Sequence, residues 1–357
     1  MSTLFSPFTL RGTTFRNRAW VSPMCQYSST DGHPSDWHLV HLGSLARGGA
    51  GLVFQEATAV TPEGRISPWD AGIWNDAQAE DYARIVAFVR GQGAVPGIQL
   101  AHAGRKGSTQ RPWDGHDYVD PADGGYGTVA PSPVAFGDWP VPKELSADDI
   151  AGLVEAFAAA ARRALAAGFE VAEIHGAHGY LIHEFLSPLA NQRADEYGGD
   201  LAGRSRFLLE VVRAVRAVWP DDKPLLVRLS ATDWVHDGWD VQQTVEVARS
   251  LAGEGVDLVD VSSGGLSPDQ QIALGPGYQV PFARQVREGS GLPVAAVGLI
   301  TTPQQAEQVL AEGSADAVVM ARELLRNPHW PLLAAAELGE DTDLWPDQYL
   351  RAVPRKA

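Results

Sequence analysis

The feature that most limits the fold is a repeated pairing of a short apolar run with a longer amphipathic stretch. Residues 19–21, 51–55, 95–100, 170–174, 225–229, 258–261, 294–297 and 317–320 read as buried strands. Each is short, and most are rich in β-branched residues, as strands covered on both faces are. Residues 77–92, 146–167, 203–218, 241–253, 280–289 and 302–313 carry the helical pattern between them. Ser146, followed by Asp148 and Asp149, supplies an N-cap and an acidic first turn, and Gly168 ends that helix. Thr302-Pro303 opens another in the N-cap and N1 positions. Eight strands with intervening helices over about 300 residues predict a single α/β domain, a (β/α)₈ TIM barrel spanning residues 1–357. A doubly wound sheet is the rival, but no Gly-x-Gly-x-x-Gly turn follows the first strand.

Two segments exceed the bare barrel. Residues 4–18 precede the first strand and are expected to form an N-terminal hairpin closing the barrel bottom. Residues 101–145 follow the third strand and are rich in Gly, Pro and Trp without periodicity, which predicts a lid or substrate-shaping insert. Residues 340–357 form a C-terminal tail.

Composition removes several classes of function. A formal charge of −16 argues against a nucleic-acid partner, which would require a basic face. No apolar run approaches the roughly 18 residues of a membrane span. The first residues contain Arg11, Arg16 and Arg18 but no apolar core of a signal peptide, so the cytoplasm is the expected compartment. The single cysteine, Cys25, excludes an internal disulfide framework, a Cys-rich zinc site or an iron–sulfur cluster held by this chain.

Barrel enzymes place their chemistry at the C-terminal ends of the strands. Here those ends carry Ser22-Pro23-Met24-Cys25-Gln26-Tyr27, Glu56-Ala57, Gln99 with His102, His175 through Tyr180, Arg228, Ser262-Ser263-Gly264-Gly265, Gly298 and Ala321-Arg322. His175 and His178 are three apart, so one tight turn can point both imidazoles at the same spot, with Gly176 and Gly179 allowing the backbone angles. Two such N–H groups can hold a carbonyl oxygen and stabilise negative charge developing on it. Tyr180 offers a phenol as proton donor in the same cleft. Zinc is a rival reading for the histidines, with Glu184 the one nearby carboxylate. Arg228 closes a buried-looking strand and needs a partner, either a structural carboxylate or an anionic ligand. Gly298 and Ala321-Arg322 follow strands seven and eight, where barrels commonly bind phosphate. Together these features favour a phosphorylated cofactor.

The segments Phe15-Arg16-Asn17-Arg18, Ser22-Pro23-Met24-Cys25-Gln26-Tyr27, Gly49-Ala50-Gly51-Leu52 and Glu56-Ala57-Thr58-Ala59-Val60 form a familiar series. It continues through Gln99-Leu100-Ala101-His102-Ala103-Gly104-Arg105-Lys106, His175-Gly176-Ala177-His178-Gly179-Tyr180-Leu181, Asn191-Gln192-Arg193 and Asp195-Glu196-Tyr197-Gly198-Gly199. On these segments the chain resembles the Old Yellow Enzyme family, in its thermophilic-like branch of xenobiotic reductases and NADPH dehydrogenases. The resemblance implies bound FMN, with NADPH or NADH as hydride donor. It implies an ene-reductase acting on α,β-unsaturated carbonyl or nitro compounds. By matching position, Pro23, Met24, Cys25, Ala57, Gln99 and Arg228 would surround the isoalloxazine, with Ser22 beside them, and Gly298 with Ala321-Arg322 would hold the phosphate. His175 and His178 would bind the substrate oxygen, Tyr180 would protonate the α-carbon, and Tyr27 and Gln99 would line the substrate space. Cys25 would tune the flavin potential. Gln348-Tyr349-Leu350-Arg351-Ala352 looks like the tail by which this branch inserts an arginine into a neighbouring subunit's site, which implies a homo-oligomer, dimer or tetramer. Val353 follows, where the family pattern commonly has an aromatic residue.

A phosphate-binding lyase or isomerase on the same barrel, without flavin, is the alternative from another class. It would call for a Schiff-base lysine or a carboxylate base at a strand end, and the nearest lysine is Lys106, in the loop after strand three.

Overall fold

A strand covered on both faces needs apolar side chains at nearly every position, and eight such segments close into one parallel barrel in the computed structural model. The structure describes residues 2–115 and 117–354. The expected tail therefore has its last residues, 355–357, outside the described residues. The chain opens with an antiparallel hairpin of β1 (Phe8–Leu10) and β2 (Thr13–Phe15), then β3 (Ala19–Val21), α1 (Asp36–Arg47), β4 (Leu52–Ala59), α2 (Asp76–Gly91) and β5 (Val95–Ala101). The insert carries β6 (Val129–Ala130) and β7 (Lys143–Glu144), paired with each other. Next come α3 (Ala147–Ala167), β8 (Val171–Gly176), α4 (Leu181–Leu186), α5 (Leu201–Arg216), β9 (Leu225–Ser230), α6 (Val241–Gly253) and β10 (Leu258–Ser262). The chain ends through α7 (Val280–Ser290), β11 (Val294–Ala296), α8 (Pro303–Ala311), β12 (Ala317–Met320), α9 (Arg322–Arg326) and α10 (Trp330–Glu337). Around the barrel the order is β3-β4-β5-β8-β9-β10-β11-β12, and β12 closes on β3 with Val318 opposite Ala19.

The barrel floor is apolar. Trp20, Leu52, Phe54, Val171 and Leu226 form one buried cluster, and Phe15 from the hairpin plugs it from below, its ring 4.6 Å from that of Trp20. Polar side chains are thereby confined to the upper part of the lumen.

Local signals explain the helix ends. Ser146 accepts the Asp149 N–H while Asp149 accepts the Ser146 N–H, a reciprocal cap, and Gly168 ends α3 at φ 97°. Asp200 caps α5 by accepting the Gly203 N–H, so that helix starts two residues before the expected 203. The second barrel strand was expected to end at Gln55 but continues to Ala59, because Thr58 and Ala59 still pair with Leu100 and Ala101 beyond a bulge at Gln55/Ala57. Glu56 and Ala57 therefore sit within a strand rather than past its end. Among the described residues no helix is long and apolar enough to cross a membrane.

Candidate active site

β8 ends at His175-Gly176, and the chain turns at once through Ala177-His178-Gly179-Tyr180 into α4. His178 and Gly179 are both left-handed, at φ 61° and 73°. A Cβ at position 179 would lie 2.2 Å from the Gly265 carbonyl oxygen, so only glycine fits there. The unusual conformation of His178 is held from both sides: its N–H donates to Ser230 Oγ at 3.0 Å, and its carbonyl accepts from Lys106 Nζ at 2.8 Å. The turn sets the His175 ring 5.2 Å from His178 and 5.1 Å from Tyr180, nearly perpendicular to each.

Both imidazoles are neutral. Burial, then the Arg228 charge, holds each well below the ordinary histidine range. His175 Nδ1 accepts the Ala177 N–H at 3.2 Å, which leaves its proton on Nε2. His178 Nε2 lies 2.7 Å from Ser262 Oγ at the end of β10. Burial, with Cys25 and Tyr27 nearby, pushes the Tyr180 phenol well up, so it carries its proton. Lys106 is pinned to two carbonyls, those of His178 and Gly265, and burial lowers its ammonium to about 8.

Below this rim the lumen is polar. Arg228 faces Asp260 at 3.2 Å and donates to Ser22 Oγ at 3.0 Å, so the partner anticipated for the arginine includes a structural carboxylate. Gln99 Nε2 donates to Glu173 Oε1 at 2.7 Å. Burial, then Asp260, pushes Glu173 up to about 8, despite Arg228. Neither Glu173 nor Asp260 is among the residues the sequence points to. Each is a lone acid in an apolar run, Val-Ala-Glu-Ile and Leu-Val-Asp-Val, and that interruption was the available signal.

Cys25 packs with Ala57, Ala101, Ala103 and Tyr180, and its Sγ lies within 4.8 Å of carboxylate oxygens of Glu56 and Asp70. Burial, then those two charges, holds the thiol well above its usual value, so it is no thiolate. Met24 lies half-buried against the core, and Pro23 stands beside it on the rim. Tyr27, left-handed at φ 51°, meets Trp113 of the insert edge to face at 5.8 Å.

Gly298, Ala321 and Arg322 come together along one cleft of roughly 720 Å³, counting space open to solvent, with Ser262, Tyr278 and Gln279 on its walls. Gly298 has φ 124°, and a Cβ there would lie 2.9 Å from Gln279 Nε2. Tyr278 and Gln279 precede α7 in an irregular stretch that offers no periodicity to mark them. Glu184, the carboxylate weighed as a metal partner for the histidines, instead accepts the Arg105 N–H at 2.9 Å. Arg351 is exposed on a 3₁₀ turn whose Tyr349 packs against Arg47 and His329, apart from the residues above.

A profile of the NADH:flavin oxidoreductase / NADH oxidase family matches residues 3–341. The chain is 50% identical over 351 residues to an NADPH dehydrogenase of Geobacillus thermodenitrificans (strain NG80-2), covering 98% of each protein. It is 47% identical to an NADPH dehydrogenase of Bacillus cytotoxicus (strain DSM 22905 / CIP 110041 / 391-98 / NVH 391-98), covering 98% of this chain and 96% of that one. Among solved structures, morphinone reductase in complex with tetrahydroNAD superposes with a TM-score of 0.77 at 28% identity, over 99% of this chain and 98% of that one. A 2-naphthoyl-CoA reductase complex gives 0.85 at 25% identity, this chain spanning 95% of itself but about half, 52%, of that longer protein. The chain belongs to the NADH:flavin oxidoreductase / NADH oxidase family, the Old Yellow Enzyme family, and is an FMN oxidoreductase with NAD(P)H as hydride donor.

Proposed function

We propose that this enzyme reduces the activated C=C bond of α,β-unsaturated carbonyl or nitro compounds, with His175 and His178 binding the substrate oxygen and Tyr180 as proton donor. The observation that carries this reading is two neutral imidazoles and a protonated phenol gathered on one turn, with the His175 ring centroid 5.2 Å from that of His178 and 5.1 Å from that of Tyr180. The solved relative of the same fold named morphinone reductase supports a reductive role.

The residues present fit FMN. Gly298 lines an open cleft beside the Arg322 side chain, where a larger residue would press on Gln279. Gly298, Ala321 and Arg322 would hold the phosphate, while Pro23, Met24, Cys25, Ala57, Gln99 and Arg228 would hold the ring, with Ser22 orienting Arg228. When bound, FMN supplies a centre that accepts hydride from NAD(P)H and returns it to the substrate. The guanidinium of Arg228 would place positive charge beside the ring, though Asp260 offsets part of it.

The chain's own residues do the rest. Two imidazole N–H groups converge on the substrate oxygen and stabilise the negative charge that develops there, which makes the β-carbon electrophilic. Neutral imidazoles suit this role, since they donate without taking a proton away from the reaction. Tyr180 keeps its proton and delivers it to the α-carbon. Tyr27 and the insert around Trp113 would border the substrate, and Arg351 would act on a neighbouring subunit's site rather than its own.

The test is the combined change His175→Ala and His178→Ala. FMN should remain bound, while alkene reduction falls by roughly 10²–10³ per lost donor. Phenols, whose phenolate oxygen would take the same position, should lose their long-wavelength charge-transfer band. An unchanged phenol titration in the double variant would refute the assignment.

A further inference from the structure

We infer that Ser262 is a positioning residue that fixes the tautomer of His178 and so makes it a hydrogen-bond donor towards the substrate, an inference that rests on the role proposed for the paired histidines.

A neutral imidazole has one N–H, and which nitrogen carries it is decided by the partner of the other. For His175 that partner is the Ala177 N–H on Nδ1, which can only donate. For His178 the partner is a hydroxyl, Ser262 Oγ, 2.7 Å from Nε2, and a hydroxyl can donate or accept. The role proposed for His178 decides between the two. The other acceptor within reach of Ser262 is Gln279 Oε1, at 3.4 Å. That oxygen already takes the Ser263 hydroxyl at 2.6 Å, and the Gln279 amide is held in this orientation by donating from Nε2 to the Val297 carbonyl at 3.0 Å. Gln279 Oε1 keeps a second lone pair that the Ser262 hydroxyl reaches, so these contacts by themselves allow either direction. For His178 to donate to a substrate oxygen, Ser262 must send its O–H into His178 Nε2. The His178 proton is then left on Nδ1, which makes no hydrogen bond among the described residues and is free for a ligand.

With the opposite assignment Nε2 would donate to Ser262 and Nδ1 would present a bare lone pair to the substrate oxygen, a repulsive contact. The two imidazoles thus offer opposite nitrogens, Nε2–H of His175 and Nδ1–H of His178. One is set by the backbone and the other by a serine on a different strand. The His178 backbone has its own support, since its N–H is held by Ser230 Oγ, which in turn donates to the Gly264 carbonyl at 2.9 Å. Ring orientation and backbone conformation are consequently carried by two different serines.

The experiment uses FMN-loaded protein with ¹⁵N-labelled histidine, read by long-range ¹⁵N–¹H correlation, together with phenol titration. Wild type should show His178 protonated at Nδ1 and His175 at Nε2. Ser262→Ala should lose the fixed Nδ1–H signature of His178 and weaken phenol binding about five- to tenfold, the effect of one neutral hydrogen bond. Ser262→Thr, which keeps the hydroxyl, should restore both. Because Ser262 also lines the cofactor cleft, FMN content is measured in each variant and phenol affinity is taken per bound flavin. Finding wild-type His178 protonated at Nε2 overturns the inference whatever the variants do. So does a Ser262→Ala protein that keeps both the Nδ1–H signature and wild-type phenol affinity. If Ser262→Ala is silent while the double histidine variant abolishes phenol binding, only the role of Ser262 falls. If the double variant is itself silent, the reading of the histidines falls with it.

Discussion

Tyr180 separates the two halves of the proposed reaction. A proton for the α-carbon is needed only when the alkene is reduced, and oxidation of NAD(P)H needs none. Tyr180→Phe should slow the oxidative half-reaction by about 10²–10⁴ and leave the reductive half within a few-fold of normal. Rapid-mixing kinetics that show equal slowing of both halves would make Tyr180 a packing residue. Glu184 gives a second prediction, about stability. Burial pushes its carboxyl from 4.5 up to about 8, and its Oε1 still accepts the Arg105 N–H. The folded chain keeps this proton where the unfolded chain has lost it, so the stability contributed is full below about 4.5 and declines as pH rises towards 8. Glutamine mimics the protonated form, so Glu184→Gln should become more stable relative to wild type between pH 6 and pH 8, as read by urea midpoints. A constant difference across that range would show that Glu184 is not held protonated. At this scale the histidine pair was legible, because two histidines and two glycines at a strand end have few structural uses. Ser262 appeared only as one of several strand-end polar residues; its contact with His178, 84 positions earlier, is made by tertiary structure alone.

At the scale of elements, legibility followed local chemistry. α3 and α8 were marked by their own caps, Ser146 and Thr302, each of which accepts the N–H three residues on. α1 was not anticipated, because Asp-Trp-His-Leu-Val-His-Leu-Gly has a weak apolar stripe and its cap depends on His38 reaching back to the Ser35 N–H. The bulge in β4 was equally hidden, since only pairing with β5 shows that the strand continues. Ser146→Ala should cost about 1 kcal/mol of global stability by removing a cap far from the site, with turnover unchanged; chemical denaturation checks it. Gly298→Ala acts on the β11–α8 connection in a different way. The left-handed backbone and the 2.9 Å approach to Gln279 make any side chain strained there. The variant should bind FMN at least tenfold more weakly while the apo-protein stays folded, measured by flavin fluorescence on titration. Undiminished FMN affinity would remove Gly298 from the cofactor site.

For the whole molecule, closure is the central requirement, since the barrel holds together only if β12 meets β3 across the chain's full length. The N-terminal hairpin supports that seam by seating Phe15 under Trp20, and Phe15→Ala should cost about 3–5 kcal/mol as a buried cavity opens at the floor. Saturating FMN should offset part of this, raising stability by about 2.7 kcal/mol at a hundredfold excess over its dissociation constant. Thermal melts with and without FMN test both effects. The sequence by itself determined the order of the eight barrel strands and six of the helices, because buried parallel strands and amphipathic helices write their periodicity into consecutive residues. It also marked most of the rim residues, since strand ends are local, with Glu56 and Ala57 the exception inside β4. Only the tertiary structure decided which polar groups face one another inside the lumen. Glu173 with Gln99 and Asp260 with Arg228 each join paired strands, their partners set by barrel register, while Ser262 at the end of β10 meets His178 in the turn after β8; none of these partners is a neighbour in the chain.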